Sequence, residues 1–420
     1  MNGGKFDSEA LLAPYRILDL TNEKGMLCGK ILADLGADVI KIEKPGGDPA
    51  RNIGPFYHDI PHPEKSLFWF AFNTNKRSIT LNIETADGKE IFKKLVKSAD
   101  AVCESFDPGY TERLGLSYKK LCKINPKIVM TSMTVFGQTG PYSGFKTSDI
   151  VALAMGCLMS QCGDRDRPPV RPGFPQSFMN VGADGAEGTM VALYHKQLTG
   201  EGQHVDVSAQ EGLVWSTSEN IHEWDLLKLS AKRPGHEFLR PSGLHCPIIW
   251  ECKDGYVAML LFGGQPGAKT NRRLTEWMES EGMAPDYLKN KDWENWDWNT
   301  LTQEGLDAVV EPIARLYKAH TKAEIQAEAV KRVIQLYPVF DSEGTTVNPQ
   351  LLDRGFWVDI EHEELGDTIT YPGAFAKFSE TPIEKWRRAP LIGEHNEEIY
   401  VKELGYPKEK LNILKAGGVI

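Results

Sequence analysis

The stretch YRILDLTNEKGMLCGKILADLGADVIKI, Tyr15–Ile42, reads as strand, helix, strand. Tyr15–Leu20 and Ala37–Ile42 are short aliphatic and β-branched runs. Between them Met26, Leu27, Ile31, Leu32 and Leu35 recur at helical spacing within Gly25–Leu35. Two such strands joined by one helix predict a parallel pair with a right-handed crossover. Outward from this unit the alternation continues. Ser78–Ile83 reads as a strand, Asp87–Ser98 as a helix, Ala101–Cys103 as a strand, Tyr118–Ile124 as a helix and Lys127–Met133 as a strand. The sum is a doubly wound α/β domain, with ligands expected at the carboxyl ends of its strands. No GxGxxG follows the first strand, so a dinucleotide is not expected.

Past this domain, Gly173–Phe178 is a proline-bearing loop running into an apolar, small-residue helix at Gly182–Leu198, then a turn at Thr199–Gln203 and a strand from His204. A helix N-terminus offers unpaired amides to a ligand, so a side chain there is well placed for chemistry, and here that side chain is Phe178. A second helix, Ala209–Leu229, leads to a basic linker, Lys232–Pro241. Beyond it, Ile248–Cys252 and Tyr256–Phe262 predict a hairpin, followed by Gly263–Gly267 and a helix at Asn271–Glu281. Asp292–Trp298 is read as a surface loop, Leu306–Tyr317, Lys322–Arg332 and Asn348–Gly355 as helices, and Glu394–Leu404 as a last helix stopped before Pro407.

The chain has 420 residues, 41% hydrophobic and 25% charged, which is globular composition with room for two domains. A net charge of -10 argues against nucleic acid or an anionic membrane as partner. No apolar run reaches the roughly 18 residues of a spanning helix, and Met1–Glu9 carries no signal pattern, so a cytoplasmic protein is expected. The seven cysteines form no CxxC and the ten histidines no HExxH, so no metal site is expected.

Several stretches in order resemble the family III CoA-transferases, the CaiB/BaiF family. They are Ile17–Thr21, Leu32–Glu43, Phe72–Ser78, Gly137–Pro141, Thr199–Gln203, Gly263–Gly267 and Ala389–His395. The resemblance implies a discontinuous Rossmann-like large domain, residues 1–230 and 336–420, and a smaller α+β domain, 231–335. It also implies an interlocked dimer. Family members use an aspartate to attack a CoA thioester, forming an acyl-aspartyl anhydride and then an aspartyl-CoA thioester. CoA is thus substrate, not a covalently bound cofactor. The implied Gly-rich loop over the intermediate is Gly263, Gly264, Gln265 and Gly267, and the implied CoA contacts are Lys44, Lys76, Phe106 and Arg113.

The family pattern Gly-x-Pro-x-x-Asp-x-x-x-Gly aligns without a gap on Gly173–Gly182 and puts Phe178 in the aspartate slot. Asp184 and Glu187 lie one to three turns further along, about 5 to 13 Å, too far for in-line attack from that slot. The related racemases' His-Asp pair is missing as well, with Ser148 where their histidine falls and Phe178 again where their aspartate falls. The resemblance then implies a non-catalytic subunit paired with a paralogous chain that keeps the aspartate. The comparison is with the succinyl-CoA:benzylsuccinate type, in which succinyl-CoA is donor and an aromatic succinate is acceptor. The alternatives are a stand-alone enzyme with another mechanism and an acyl-CoA-binding scaffold without turnover.

Overall fold

In the computed structural model, which describes residues 10–239 and 243–420, six parallel strands form one sheet. They are β1 (Arg16–Leu20), β2 (Asp38–Glu43), β3 (Arg77–Thr80), β4 (Ala101–Glu104), β5 (Val129–Thr134) and β6 (His204–Ser208), in the order β3-β2-β1-β4-β5-β6. The order reverses between β1 and β4, where a doubly wound sheet opens a crevice at its carboxyl edge. The expected α/β class is therefore the observed one. The expectations for Met1–Glu9 and for the Pro241 end of the linker lie outside the described residues.

Parallel strands covered on both faces are mostly apolar, and β1, β2, β4 and β5 are buried nearly end to end, their polar members Asp19, Lys41, Glu104 and Ser132 included. One face packs Leu18, Ile40, Val102 and Met130 against α2 (Ala86–Ser98) and the C-terminal Ile399, Leu411 and Leu414. The other packs Ile17, Val39, Ala101 and Val129 against α1 (Met26–Asp34) and α5 (Gln176–Thr199). Gly182 lets α5 close on α1, since a Cβ there would stand 2.8 Å from Leu27 Cβ.

Contacts group the chain into two units, Met1–Met159 with Pro172–Lys228 and Asp353–Ile420, and Ser160–Arg171 with Leu229–Leu352. The C-terminal segment is tied into the first. Arg51 is wholly buried, donates twice to Glu43 at 2.6 and 2.8 Å, lies 3.7 Å over the Trp69 ring and donates to the Pro390 carbonyl at 2.9 Å. Asn396 accepts the Thr80 amide at 2.9 Å. A hairpin of Trp357–His362 with Asp367–Pro372, absent from the sequence reading, also belongs to this unit.

The second unit has its own core, built on an antiparallel hairpin (Ile249–Cys252 with Gly255–Ala258) and helices Gly264–Ser280, Gln303–Ala319 and Lys322–Arg332. Trp293 and Trp296 are 3% and 5% exposed and belong to that core, so Asp292–Trp298 is not the surface loop its acidic residues suggest. Three further boundaries differ. Helix α5 starts six residues before Gly182, with Pro175 at its N-cap. The expected helix Ala209–Leu229 breaks at Thr217 into α6 (Ala209–Ser216) and Ser218–Leu227. Pro407 caps a further helix, Lys408–Ala416, rather than ending the fold.

Candidate functional site

At the carboxyl edge of the sheet, β2 ends at Glu43 and the next residue is the exposed Lys44. Its Nζ donates to Glu84 at 3.0 Å, and the same Glu84 oxygen accepts the Tyr110 hydroxyl at 2.6 Å. Tyr110 opens the short helix α3 (Tyr110–Leu114), with its ring 4.6 Å from Phe106 and the Arg113 guanidinium 5.7 Å from its centroid. Lys44, Phe106 and Arg113 thus meet through Glu84 and Tyr110, two residues the sequence reading did not single out. The hydrogen bonds from Tyr110 and Lys44 hold the Glu84 carboxyl below its usual value. Two solvent-facing cations beside an aromatic pair can take phosphates and a flat ring.

The turn that carries Phe106 is fixed from below. Glu104, last residue of β4, accepts the Phe106 amide at 2.8 Å. Ser105 Oγ accepts the Asn22 amide at 2.9 Å and donates to Asn22 Oδ1 at 2.8 Å. Beside the turn is a narrow cleft lined by Lys24, Phe106, Asp107, Phe136, Phe145 and Thr147.

Lys76 is elsewhere. Its side chain is wholly buried, and Nζ donates to Asp19 at 2.9 Å, the Met26 carbonyl at 3.0 Å and Asn73 at 2.9 Å. All three ammonium protons are used, so none remains for a ligand phosphate. Burial pulls the Lys76 ammonium below its usual value, with Asp19 opposing. Burial also pushes Asp19 up, but Lys76 and Lys41 outweigh it and the carboxyl ends lowered. The expectation that Lys76 touches CoA gives way to a buried ion pair under α1. Gly29 belongs to the same arrangement, because a Cβ there would sit 2.2 Å from Asp19 Oδ2.

Phe178 lies in the first turn of α5, 7% exposed, in the apolar cluster that includes Leu153, Val181 and Leu213. Its neighbour Ser177 is wholly buried, and both its amide and its hydroxyl donate to Asp149 Oδ1, at 3.1 and 2.7 Å. That carboxylate stands at the N-terminus of α5, where the helix dipole favours negative charge. Asp184, part of the same helix further on, is raised by burial and by Glu187, and lines a separate open groove with Glu211 and Trp215.

In the second unit, Gly263–Gly267 is not an open loop. Gly263 caps the helix Gly264–Ser280, so the sequence expectation of a helix from Asn271 is short by two turns. A Cβ on Gly263 would lie 2.4 Å from Trp298 and one on Gly267 1.8 Å from the Phe262 carbonyl oxygen. Gln265 is exposed. Among the described residues no cluster of His, Cys, Asp and Glu could hold a metal, and no helix is long and apolar enough to cross a membrane.

A model of CoA-transferase family III matches residues 12–396. The chain is 35% identical to the succinyl-CoA:(R)-benzylsuccinate CoA-transferase subunit BbsE of Thauera aromatica, over 96% of this chain and 97% of that one. It is 32% identical to a formyl-CoA:oxalate CoA-transferase of Streptomyces coelicolor (97% and 99% covered). It is 30% identical to the succinyl-CoA–L-malate CoA-transferase beta subunit of Chloroflexus aurantiacus (97% and 98%). A CaiB/BaiF family protein from Brucella suis superposes with a TM-score of 0.81 at 25% identity, covering 94% of this chain and 99% of that one.

Proposed function

The chain belongs to CoA-transferase family III, and on that premise we propose that it is the non-catalytic subunit of a heteromeric CoA-transferase. The observation that carries this reading is Phe178. It takes the position that the family pattern gives to the nucleophilic aspartate, and it is packed into the core beside a serine already engaged by Asp149. A phenyl ring can neither attack a thioester nor carry CoA. The aspartate of a paralogous subunit does that work. It adds to the acyl carbonyl and expels CoA thiolate to give an anhydride. Thiolate then attacks the aspartyl carbonyl and expels the donor carboxylate, leaving an aspartyl-CoA thioester. The acceptor carboxylate displaces thiolate from it to form a second anhydride, whose acyl carbonyl the thiolate attacks to give the new CoA thioester and free the aspartate.

Succinyl-CoA as donor and an aromatic succinate such as benzylsuccinate as acceptor are the substrate classes we assign, by likeness to the benzylsuccinate relative. Lys44 and Arg113 serve as phosphate contacts and Phe106 with Tyr110 as the adenine wall, because these groups converge at the carboxyl edge of the sheet. In this reading the large domain, residues 1–230 and 336–420, holds these groups, and the small domain, 231–335, carries Gly263–Gly267. The protein is cytoplasmic and acts within an interlocked dimer unit.

The test is purification of the native complex with a tag on this chain. A partner of similar size carrying Asp at the matching position, with transfer activity only in the mixture, is expected. A fully active complex of this chain alone would refute the proposal. CoA binding without transfer, even with the partner present, would favour the scaffold reading instead.

A further inference from the structure

Glu104 is a buried carboxyl, 2% exposed, that takes no part in the ligand contacts just described. It stands in register with Leu20 of β1 and Ser132 of β5, and Ser132 in turn with Asp206 of β6. Register partners of a parallel sheet point to the same face, so Glu104, Ser132 and Asp206 form a polar row continuous with the apolar face beneath α2. Oε2 of Glu104 accepts the Phe106 amide at 2.8 Å, and Ser132 beside it favours the ionised carboxyl. Ser132 Oγ is 2.9 Å from His204 Nε2, and His204 is exposed, stacked on Tyr118 at 5.6 Å. His204 thus bonds Ser132, the register partner of the carboxyl that holds Phe106.

We propose that Glu104 is a positioning residue for CoA, holding the Phe106 turn when ionised and loosening it when protonated, so that protonation weakens CoA binding. The inference rests on the reading of Phe106 as part of the CoA site. A carboxylate is the stronger acceptor: hydrogen bonds to ionised groups are about twice as strong as those between neutral ones. Protonation of Glu104 takes up one proton from solvent, with no other bond formed or broken.

The charged and titratable groups around Glu104 come from each neighbouring element. Lys24, after β1, favours the ionised form, and Asp206, on β6, opposes it. Partial burial of the ring lowers His204, with Asp206 opposing. Asp107, in the Phe106 turn, is engaged with Lys24 at 3.4 Å. Burial dominates this balance and pushes the Glu104 carboxyl up to about 7, within reach of a physiological titration.

The experiment uses the full chain labelled with [15N]phenylalanine, in its wild-type and Glu104→Gln forms, between pH 5.5 and 8.5. Amide NMR shifts are followed without ligand, and CoA affinity is measured by calorimetry. The Phe106 amide is expected to titrate with a midpoint near 7 in the wild type and to be flat in Glu104→Gln. CoA affinity, taken relative to Glu104→Gln to cancel titration of the ligand's own phosphate, should fall about three- to tenfold on acidification. Ser132→Ala keeps the carboxyl but removes a donor that favours its ionised form, so it should move the midpoint upward, and it serves if Glu104→Gln does not fold. A flat amide, a relative affinity that does not change, or one that rises on acidification overturns the proposal. The last result would mean plain repulsion of CoA phosphates. An amide that titrates while CoA fails to bind at any pH overturns the CoA-site reading and the coupling with it.

Discussion

Replacing Lys76 by methionine separates a ligand contact from a buried ion pair. Methionine keeps most of the volume but leaves Asp19 without the ammonium at 2.9 Å. Breaking one side of a buried pair typically costs about 3–5 kcal/mol, because an uncompensated charge remains. Asp19 retains the Thr21 amide at 2.9 Å, the Thr21 hydroxyl at 2.6 Å and Lys41 at 3.9 Å, which places the expected loss near the lower end, about 3 kcal/mol at pH 7. Asp19 is lowered in the native protein, so its contribution is present above the unfolded carboxylate value and is lost as pH falls through the folded one. With Lys76 gone the carboxyl protonates more readily, and the deficit should narrow between pH 7 and pH 5. Adding Asp19→Asn removes the stranded charge and should restore at least half of the loss. The assay is urea unfolding followed by circular dichroism, with CoA affinity measured in parallel. A stability change below about 1 kcal/mol, together with a tenfold loss of CoA affinity, would falsify the burial argument and restore Lys76 to the ligand.

Glu104→Gln has a stability signature as well. A carboxyl raised from 4.5 to about 7 favours folding while protonated, so its contribution fades as pH rises through that window, by about 3 kcal/mol in all. The variant should therefore gain on the wild type between pH 5 and pH 8 in thermal or urea unfolding, and a constant difference would contradict it. Phe178→Asp exchanges a core ring for a carboxylate near Asp149 and should cost about 4 kcal/mol or more, against less than about 1.5 for Phe178→Leu. If the folded fraction of Phe178→Asp traps an acyl group from acyl-CoA as a hydroxamate with hydroxylamine, the slot is otherwise intact; the absence of any adduct would show that more than the nucleophile has been lost. Gly267→Ala drives a Cβ toward the Phe262 carbonyl and should destabilise the protein by about 3 kcal/mol, read as a lower urea midpoint. Unchanged stability would mean that this stretch opens freely.

The parallel sheet was legible because its signals are local. Alternating strand and helix patterns leave few topologies, and right-handed crossovers fix the rest. The hairpin Trp357–His362 with Asp367–Pro372 was missed although its register is regular. Its exposed positions are mixed in character, and the wholly buried His362, bonded to Tyr371 at 2.8 Å, looks polar in sequence. The same ambiguity hid Trp293 and Trp296, whose acidic neighbours suggest a solvent loop while their rings fill the second core.

The candidate site divides along a similar line. Strand and helix periodicity determined that the chain is an α/β protein, and the family resemblance marked position 178, where a phenylalanine leaves no nucleophile. Residue identity alone carries those conclusions. Sequence could not tell Lys44 from Lys76, because both follow strand or turn signals and both are lysines. Only the tertiary structure put one at the surface beside Glu84 and the other under α1 against Asp19. It likewise brought Glu104, Ser132 and His204, up to a hundred residues apart, together on one face of the sheet. Burial and long-range pairing set whether a charge is free to bind or already spent, and neither is written in the local pattern.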